Sequence, residues 1–128
     1  MAVTKKRKKK IIKQVPRGRA YIKATYNNTI VSLTDLGGNV LAWASAGCFG
    51  FKGAKKATPY AASIIVRKVV ESVKDCNLKE VQVFVKGVGM GREAAVRSLY
   101  TNGLNILSIK DVTPLPHNGC RARGVRRV

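Results

Sequence analysis

The sequence predicts a single α/β domain: a mixed five-stranded sheet with two helices, in the order βββαβαβ, extended at both ends by basic segments expected to be disordered when free. Three observations carry this prediction. Short alternating or β-branched segments are separated by turns rich in Asn and Gly. Two stretches with helical apolar spacing lie between the later strands, which calls for crossover connections in a mixed sheet. The length of 128 residues and the 45% hydrophobic content fit one domain with a modest core.

Along the chain, residues 1–17 are dominated by mutually repelling lysines, and Pro16 and Gly18 separate this segment from the strand region. From residue 18, Ala20, Ile22 and Ala24 alternate with Tyr21, Lys23 and Thr25, the period of a strand with one buried face. Asn27-Asn28 marks a turn, because Asn tolerates positive φ. Residues 29–34 are β-branched and strand-like. Residues 35–39 form a second turn and residues 40–45 a third strand, completing an antiparallel meander. Residues 46–57 read as a long glycine-rich loop. Thr58 is a good N-cap and Pro59 suits the first helical position. Ala62, Val66, Val69, Val73 and Cys76 then recur on one helical face, and Asn77 ends the helix. Residues 80–86 alternate as a strand, residues 87–91 turn, and residues 92–102 make a second helix capped by Gly103. The last strand lies within residues 104–113, where Pro114 and Pro116 stop regular structure.

Charge dominates the composition: 25 Lys and Arg oppose 6 Asp and Glu, a net +19. Self-repulsion of that size in a compact domain calls for a neutralising polyanion, nucleic acid first and an anionic membrane second. Residues 1–19 hold nine basic residues and no acid, and residues 114–128 hold four and none. The middle keeps the remaining twelve basic and all six acidic residues. The expected organisation is thus a basic arm over residues 1–17, a globular body over 18–113 and a basic tail over 114–128, with arms that reach along a phosphate backbone. No apolar run approaches the roughly 18 residues of a membrane span, and Ile11-Ile12 is too short for a signal peptide. Cys48, Cys76 and Cys120 are widely spaced and read as reduced thiols in a cytosolic compartment.

Two turns and the tail carry the chemistry. In residues 47–56, glycines permit close backbone approach to a phosphate, Lys52, Lys55 and Lys56 supply charge, and the free amides at the start of the adjoining helix add positive potential. Phe49 and Phe51 either stack on bases or anchor the loop in the core. Gly87, Gly89 and Gly91, with Arg92 next in sequence, lie between a strand and a helix, where phosphate sites occur. Arg92 stands where a dinucleotide fingerprint has its third glycine, and the turn lacks a Gly-Lys-Ser/Thr ending, so no nucleotide cofactor is expected. The turn either meets an RNA phosphate with its amides and Arg92 or only lets helix and strand pack. Tail arginines pair bidentately with phosphates and stack on bases. His117 and Cys120 are too few ligands for zinc, and they lack the orienting shell of a nucleophile pair. The six acids are scattered, so metal-dependent hydrolysis has no site. In Asn118-Gly119 the glycine leaves the Asn amide open to backbone attack, so isoaspartate formation stands beside the plain reading of a turn.

Three stretches together point to a family. They are Ser45-Ala46-Gly47, Gly50-Phe51-Lys52-Gly53, Lys56 and Thr58-Pro59-Tyr60-Ala61-Ala62; then Val85-Lys86-Gly87-Val88-Gly89-Met90-Gly91-Arg92-Glu93-Ala94-Ala95; then Asp111-Val112-Thr113-Pro114-Leu115-Pro116-His117-Asn118-Gly119-Cys120-Arg121. In order and spacing they resemble the universal family of small-subunit ribosomal protein eleven, in its bacterial or organellar type. The resemblance covers about residues 19–121. It implies a ribonuclease H-like architecture without the acidic site, and a place on the platform of the small subunit. There, family members bridge several ribosomal RNA helices near the messenger exit and help form the Shine–Dalgarno cleft. It also implies neighbouring platform and head proteins as partners, the seventh, eighteenth and twenty-first of the small subunit. Residues 121–128 depart from the family's proline-containing, denser basic ending.

The expected function is therefore that of a structural, non-enzymatic ribosomal RNA-binding protein in the cytoplasm, near messenger RNA. No cofactor, metal, membrane or homo-oligomer is expected. Candidate contacts are Lys5, Lys6, Arg7, Lys8, Lys9, Lys10, Arg17 and Arg19; Lys52, Lys55 and Lys56; Gly87, Gly89, Gly91, Arg92 and Arg97; and His117, Asn118, Arg121, Arg123, Arg126 and Arg127. The alternatives are a general non-ribosomal nucleic-acid binder, a degenerate hydrolase, and a membrane-surface protein, the last disfavoured because no apolar face accompanies the basic runs.

Overall fold

A computed structural model describes residues 14–127. Five strands and two helices occur in the expected order: β1 (Arg17–Ala24), β2 (Thr29–Asp35), β3 (Val40–Ser45), α1 (Pro59–Ser72), β4 (Glu80–Lys86), α2 (Gly91–Thr101) and β5 (Asn105–Asp111). Side chains fix both turns of the meander. Thr25 Oγ1 accepts the amides of Asn27 and Asn28 at 3.3 and 3.0 Å. The Asp35 carboxylate accepts the Asn39 amide at 2.9 Å and its side-chain nitrogen at 3.1 Å.

The sheet order is β3-β2-β1-β4-β5. Both pairings of the meander are antiparallel, whereas β1–β4 and β4–β5 are parallel, as the two helical crossovers require. Register aligns Ala20 with Leu33 and Val83, and Ile22 with Val31 and Val85. These residues are buried on one face under α1 and α2. From α1 come Ala62, Ile65, Val66 and Val69, and from α2 come Ala95 and Leu99. Each full burial of a Val, Leu or Ile contributes about 1.5–3 kcal/mol. Among the described residues, the other face of the sheet has no helix.

Three details differ from the sequence-based expectation. Residues 46–57 contain two single turns of 3-10 helix, Ala46–Phe49 and Gly53–Ala57. The first helix proper stops at Ser72; one 3-10 turn, Lys74–Cys76, then carries the chain to Asn77, whose φ of 53° ends it. Residues 14–17, assigned to the arm from sequence, lie against the body. Val15 is buried and donates its amide to the Cys76 carbonyl at 2.9 Å, and the Pro16 carbonyl accepts from Lys79 and Glu80 at 3.1 Å. One apolar residue inside a charged run carries no periodic signal, so its docking was invisible in the sequence. Residues 112–127 form no helix or strand.

Candidate nucleic-acid interface

Topology gathers the lysine turn, the glycine turn and the root of the basic tail at one end of the sheet. β1, β3, β4 and β5 run the same way, because β1 parallels β4, β4 parallels β5, and β2 opposes both β1 and β3. The segments that leave β3, β4 and β5 therefore start at a common edge: residues 46–58, residues 87–90 and the tail from residue 112. Both helices begin there as well. Gly91, the first residue of α2, abuts Ala62 in the first turn of α1, so closely that a Cβ on Gly91 would lie 3.2 Å from the Ala62 Cβ. Two helix N-termini side by side place positive backbone potential under this edge.

The lysine-bearing turn is tied to the start of α1. Thr58 Oγ1 donates to the Lys55 carbonyl at 2.8 Å and accepts the Ala61 amide at 3.3 Å, so one hydroxyl holds both the turn and the helix cap. Lys52 and Lys55 are exposed and Lys56 is half-buried. Phe51 packs against the core and meets Tyr60 edge-on at 6.1 Å, which makes it the loop's anchor. Phe49 remains 39% exposed.

The glycine turn after β4 has a packing reason. It folds over the end of β1, where a Cβ on Gly87 would overlap the Ala24 carbonyl and one on Gly89 would lie 2.5 Å from the Thr25 oxygen. Arg92 braces this turn. Its Nη1 donates to the Gly87 carbonyl at 3.0 Å and its Nη2 to Asp111 Oδ2 at 2.6 Å. Asp111 Oδ1 accepts both the amide and the hydroxyl of Thr113, at 2.9 and 2.6 Å, and Thr113 Oγ1 accepts the Gly87 amide at 3.0 Å. The Thr113 hydroxyl, and after it the Arg92 guanidinium, holds the Asp111 carboxyl well below the usual carboxylate range. Strand end, glycine turn, helix start and tail root are thus locked together. Of the five N–H donors of a guanidinium, these bonds leave three on Arg92 for another acceptor. No side chain caps α2 at Met90; the Arg92 amide donates to the Gly89 carbonyl at 3.3 Å, and Gly91 is buried.

Other sequence-named residues lie elsewhere. Arg97 sits on the outer side of α2 with a loose 3.9 Å pair to Glu93, in a shallow cleft that Tyr60 and Arg67 also line. Arg17 lies at the far end of β1, paired with Glu80 at 2.9 Å. Arg19 lies on the helix-free face. His117, Asn118, Arg121, Arg123, Arg126 and Arg127 are exposed on the tail, and Asn118 adopts a φ of 58°. Lys5, Lys6, Arg7, Lys8, Lys9 and Lys10 fall outside the described residues. The three cysteines are free. Among the described residues, no group of three His, Cys, Asp or Glu is placed to hold a metal. No described helix is long and apolar enough to cross a membrane.

A family model described as ribosomal protein S11 matches residues 18–127. The chain belongs to the ribosomal protein S11 family. Relatives named small ribosomal subunit protein uS11 agree. The one from Treponema pallidum (strain Nichols) is 58% identical over the whole of both chains. Those from Borreliella burgdorferi (strain ZS7) and Borreliella afzelii (strain PKo) are 53% identical over 94% of this chain and 93% of their own. The family match begins at Gly18 and so takes in the sheet, both helices, the shared edge and nearly all of the tail.

Residues that sequence reasoning missed lie on the helix-free face. Tyr21 and Phe84 stack with ring centres 5.2 Å apart, and the Arg19 guanidinium lies 5.8 Å from the Phe84 centre. Trp43 stands 61% exposed. The available signal was parity: Arg19, Tyr21 and Lys23 occupy the positions between the buried residues of β1.

Proposed function

We propose that this chain is a structural constituent of the small ribosomal subunit that holds ribosomal RNA at the shared edge of its sheet. As a member of the ribosomal protein S11 family it is a structural ribosomal protein and not an enzyme. The observation that carries the RNA-binding surface is the convergence of the lysine turn, two helix N-termini and the root of an arginine tail at one end of the fold. Lys52, Lys55 and Lys56 neutralise phosphates. The remaining Arg92 donors receive another phosphate. The tail arginines, Arg121 to Arg127, thread between RNA helices and order on binding, and the N-terminal lysines add phosphate contacts. Gly87 and Gly89 serve this surface by letting the turn lie flat over the end of β1, and Gly91 by letting α2 start against Thr29 and Ala62.

The finer reading places the protein on the platform, bridging several ribosomal RNA helices beside the messenger exit and the Shine–Dalgarno cleft, in a bacterial cytoplasm. The seventh, eighteenth and twenty-first small-subunit proteins are its neighbours there, and each subunit holds a single copy. Binding to a platform RNA fragment and to unrelated duplex RNA, each across a salt series, tests this. Phosphate contacts make affinity fall with a log–log slope of roughly −0.7 to −0.9 per neutralised phosphate. A platform advantage that persists at physiological salt supports the reading. Equal binding to both RNAs, with and without the neighbouring proteins, refutes it.

A further inference from the structure

The helix-free face of the sheet carries a second set of groups. Register lays Trp43, Ser32, Tyr21, Phe84 and Lys110 in one row across all five strands. The adjacent row on one side pairs Lys23 with Lys86, and on the other Arg19 pairs with Gln82. Glu80 is the one acid on this face among the described residues, and Arg17 occupies it at 2.9 Å. Four cations, Arg19, Lys23, Lys86 and Lys110, therefore flank Tyr21 and Phe84 with no described acid left to pair with on this face. Arg19 also keeps a buried Nε that has no hydrogen-bond partner.

The aromatic groups are held in place. Tyr21 and Phe84 lie within 16° of parallel, and Arg19 touches both, at 3.4 Å from the Tyr21 hydroxyl and over the Phe84 ring. Trp43 projects its indole two strands away without a ring partner among the described residues. An exposed indole in the middle of a strand, on the same face as unopposed cations that begin two strands away, calls for an extended partner with flat faces and negative charge.

We propose that the helix-free face binds an unpaired stretch of RNA, with bases stacked on Trp43 and Tyr21 and phosphates on Lys23, Lys86 and Lys110. The inference rests on RNA being the partner of this chain, and it adds a contact separate from the sheet-edge surface. Single strands suit the face because every unpaired base offers a π-surface, which duplex interiors do not. Sheets that carry aromatics among cations bind single strands in this manner. An acidic protein segment would satisfy the lysines but has no flat groups for the indole.

Trp43 is the only tryptophan, so its emission reports on this face alone. The full chain is titrated with a short oligouridylate, a matched RNA duplex and polyglutamate. Oligouridylate is expected to quench Trp43 saturably, with little effect from the other two. Tyr21→Ala, and separately Lys23→Gln with Lys110→Gln, should each weaken that binding by about tenfold, in the range for loss of one stacked base. Unchanged circular dichroism shows that the variants remain folded. Lys52→Ala with Lys55→Ala and Lys56→Ala should leave the quench intact while weakening binding to the platform fragment. Equal quenching by duplex or by polyglutamate overturns the proposal, the latter in favour of an acidic protein partner. No quenching by oligouridylate from a chain that still binds the platform fragment overturns it while leaving the proposed function in place. A chain that binds neither RNA overturns both.

Discussion

Three glycines separate two costs of a side chain that ordinary glycine substitutions confound. Gly103 has a φ of +95° and open space where a Cβ would be, so Gly103→Ala tests backbone conformation alone. Forcing an L-residue into the left-handed region costs about 1–2 kcal/mol. Gly89 has no such φ, but its added Cβ would stand 2.5 Å from the Thr25 oxygen, where ordinary contact begins at 3.4 Å. The Thr25 carbonyl would have to retreat by nearly 1 Å, yet it adjoins the end of β1, the central strand. Overpacking of that kind costs about 1–3 kcal/mol. Gly87 combines both burdens, with a φ of +93° and a Cβ that overlaps the Ala24 carbonyl. Gly87→Ala should therefore lose about 2–5 kcal/mol, a large share of a typical domain's 5–15 kcal/mol or so. Urea unfolding of the three variants gives the comparison, with slopes checked for constancy so that midpoints report stability. The expected order of loss is Gly87→Ala greatest, with Gly89→Ala and Gly103→Ala smaller. Equal midpoints for Gly87→Ala and Gly103→Ala would show that the turn yields freely and does not press on β1.

Other perturbations reach different parts of the molecule. Replacing Lys52, Lys55 and Lys56 together with Ala should flatten the salt dependence of platform-RNA binding by about 2–3 log–log units and lower incorporation into subunits, with thermal unfolding unchanged; an unaltered slope removes these lysines from the interface. Leu99→Ala deletes a fully buried side chain of α2 and should cost about 2–5 kcal/mol in urea unfolding, against less than about 0.5 kcal/mol for Ser at exposed Thr101. Asp111 has a depressed folded pKa, so its contribution to stability is present above its unfolded value near 3.9 and disappears as pH falls further toward the folded value. Melting curves of Asp111→Asn and the parent protein should differ at neutral pH and draw together only as pH falls well below about 3.9, toward the depressed folded value; an offset that stays constant throughout contradicts the assignment.

How much of this was legible in the sequence depends on the range of each interaction. Strand and helix identities rest on spacings within one segment, and residues 18–111 displayed them openly: the alternation of Ala20, Ile22 and Ala24, or the Thr58-Pro59 start of α1, needed no partner to be read. The glycine turn was legible as a turn, but the choice between packing and ligand binding was not, because the carbonyls that exclude a Cβ from Gly87 and Gly89 belong to residues 24 and 25. Arg92 was legible as a cation. Its service as a brace depends on Asp111, 19 residues away, and on Thr113 beyond it. Val15 was hidden for the same reason, since its partner Cys76 lies on the far side of the domain's first crossover.

The two faces of the sheet show where such reading stops and register takes over. Sequence parity alone places Tyr21 and Lys23 opposite the core, but it cannot say that Phe84 stands beside Tyr21 or that Trp43 completes the row; that depends on the pairing of β1 with β4 and of β2 with β3. The same pairing makes four of five strands end at one edge, and this turns a lysine turn, two helix starts and a tail, far apart in the chain, into one basic surface. Net charge predicted a polyanion and no more. The parallel pairings decide that the chain offers it a connected edge, and together with the antiparallel meander they set an aromatic face beside that edge.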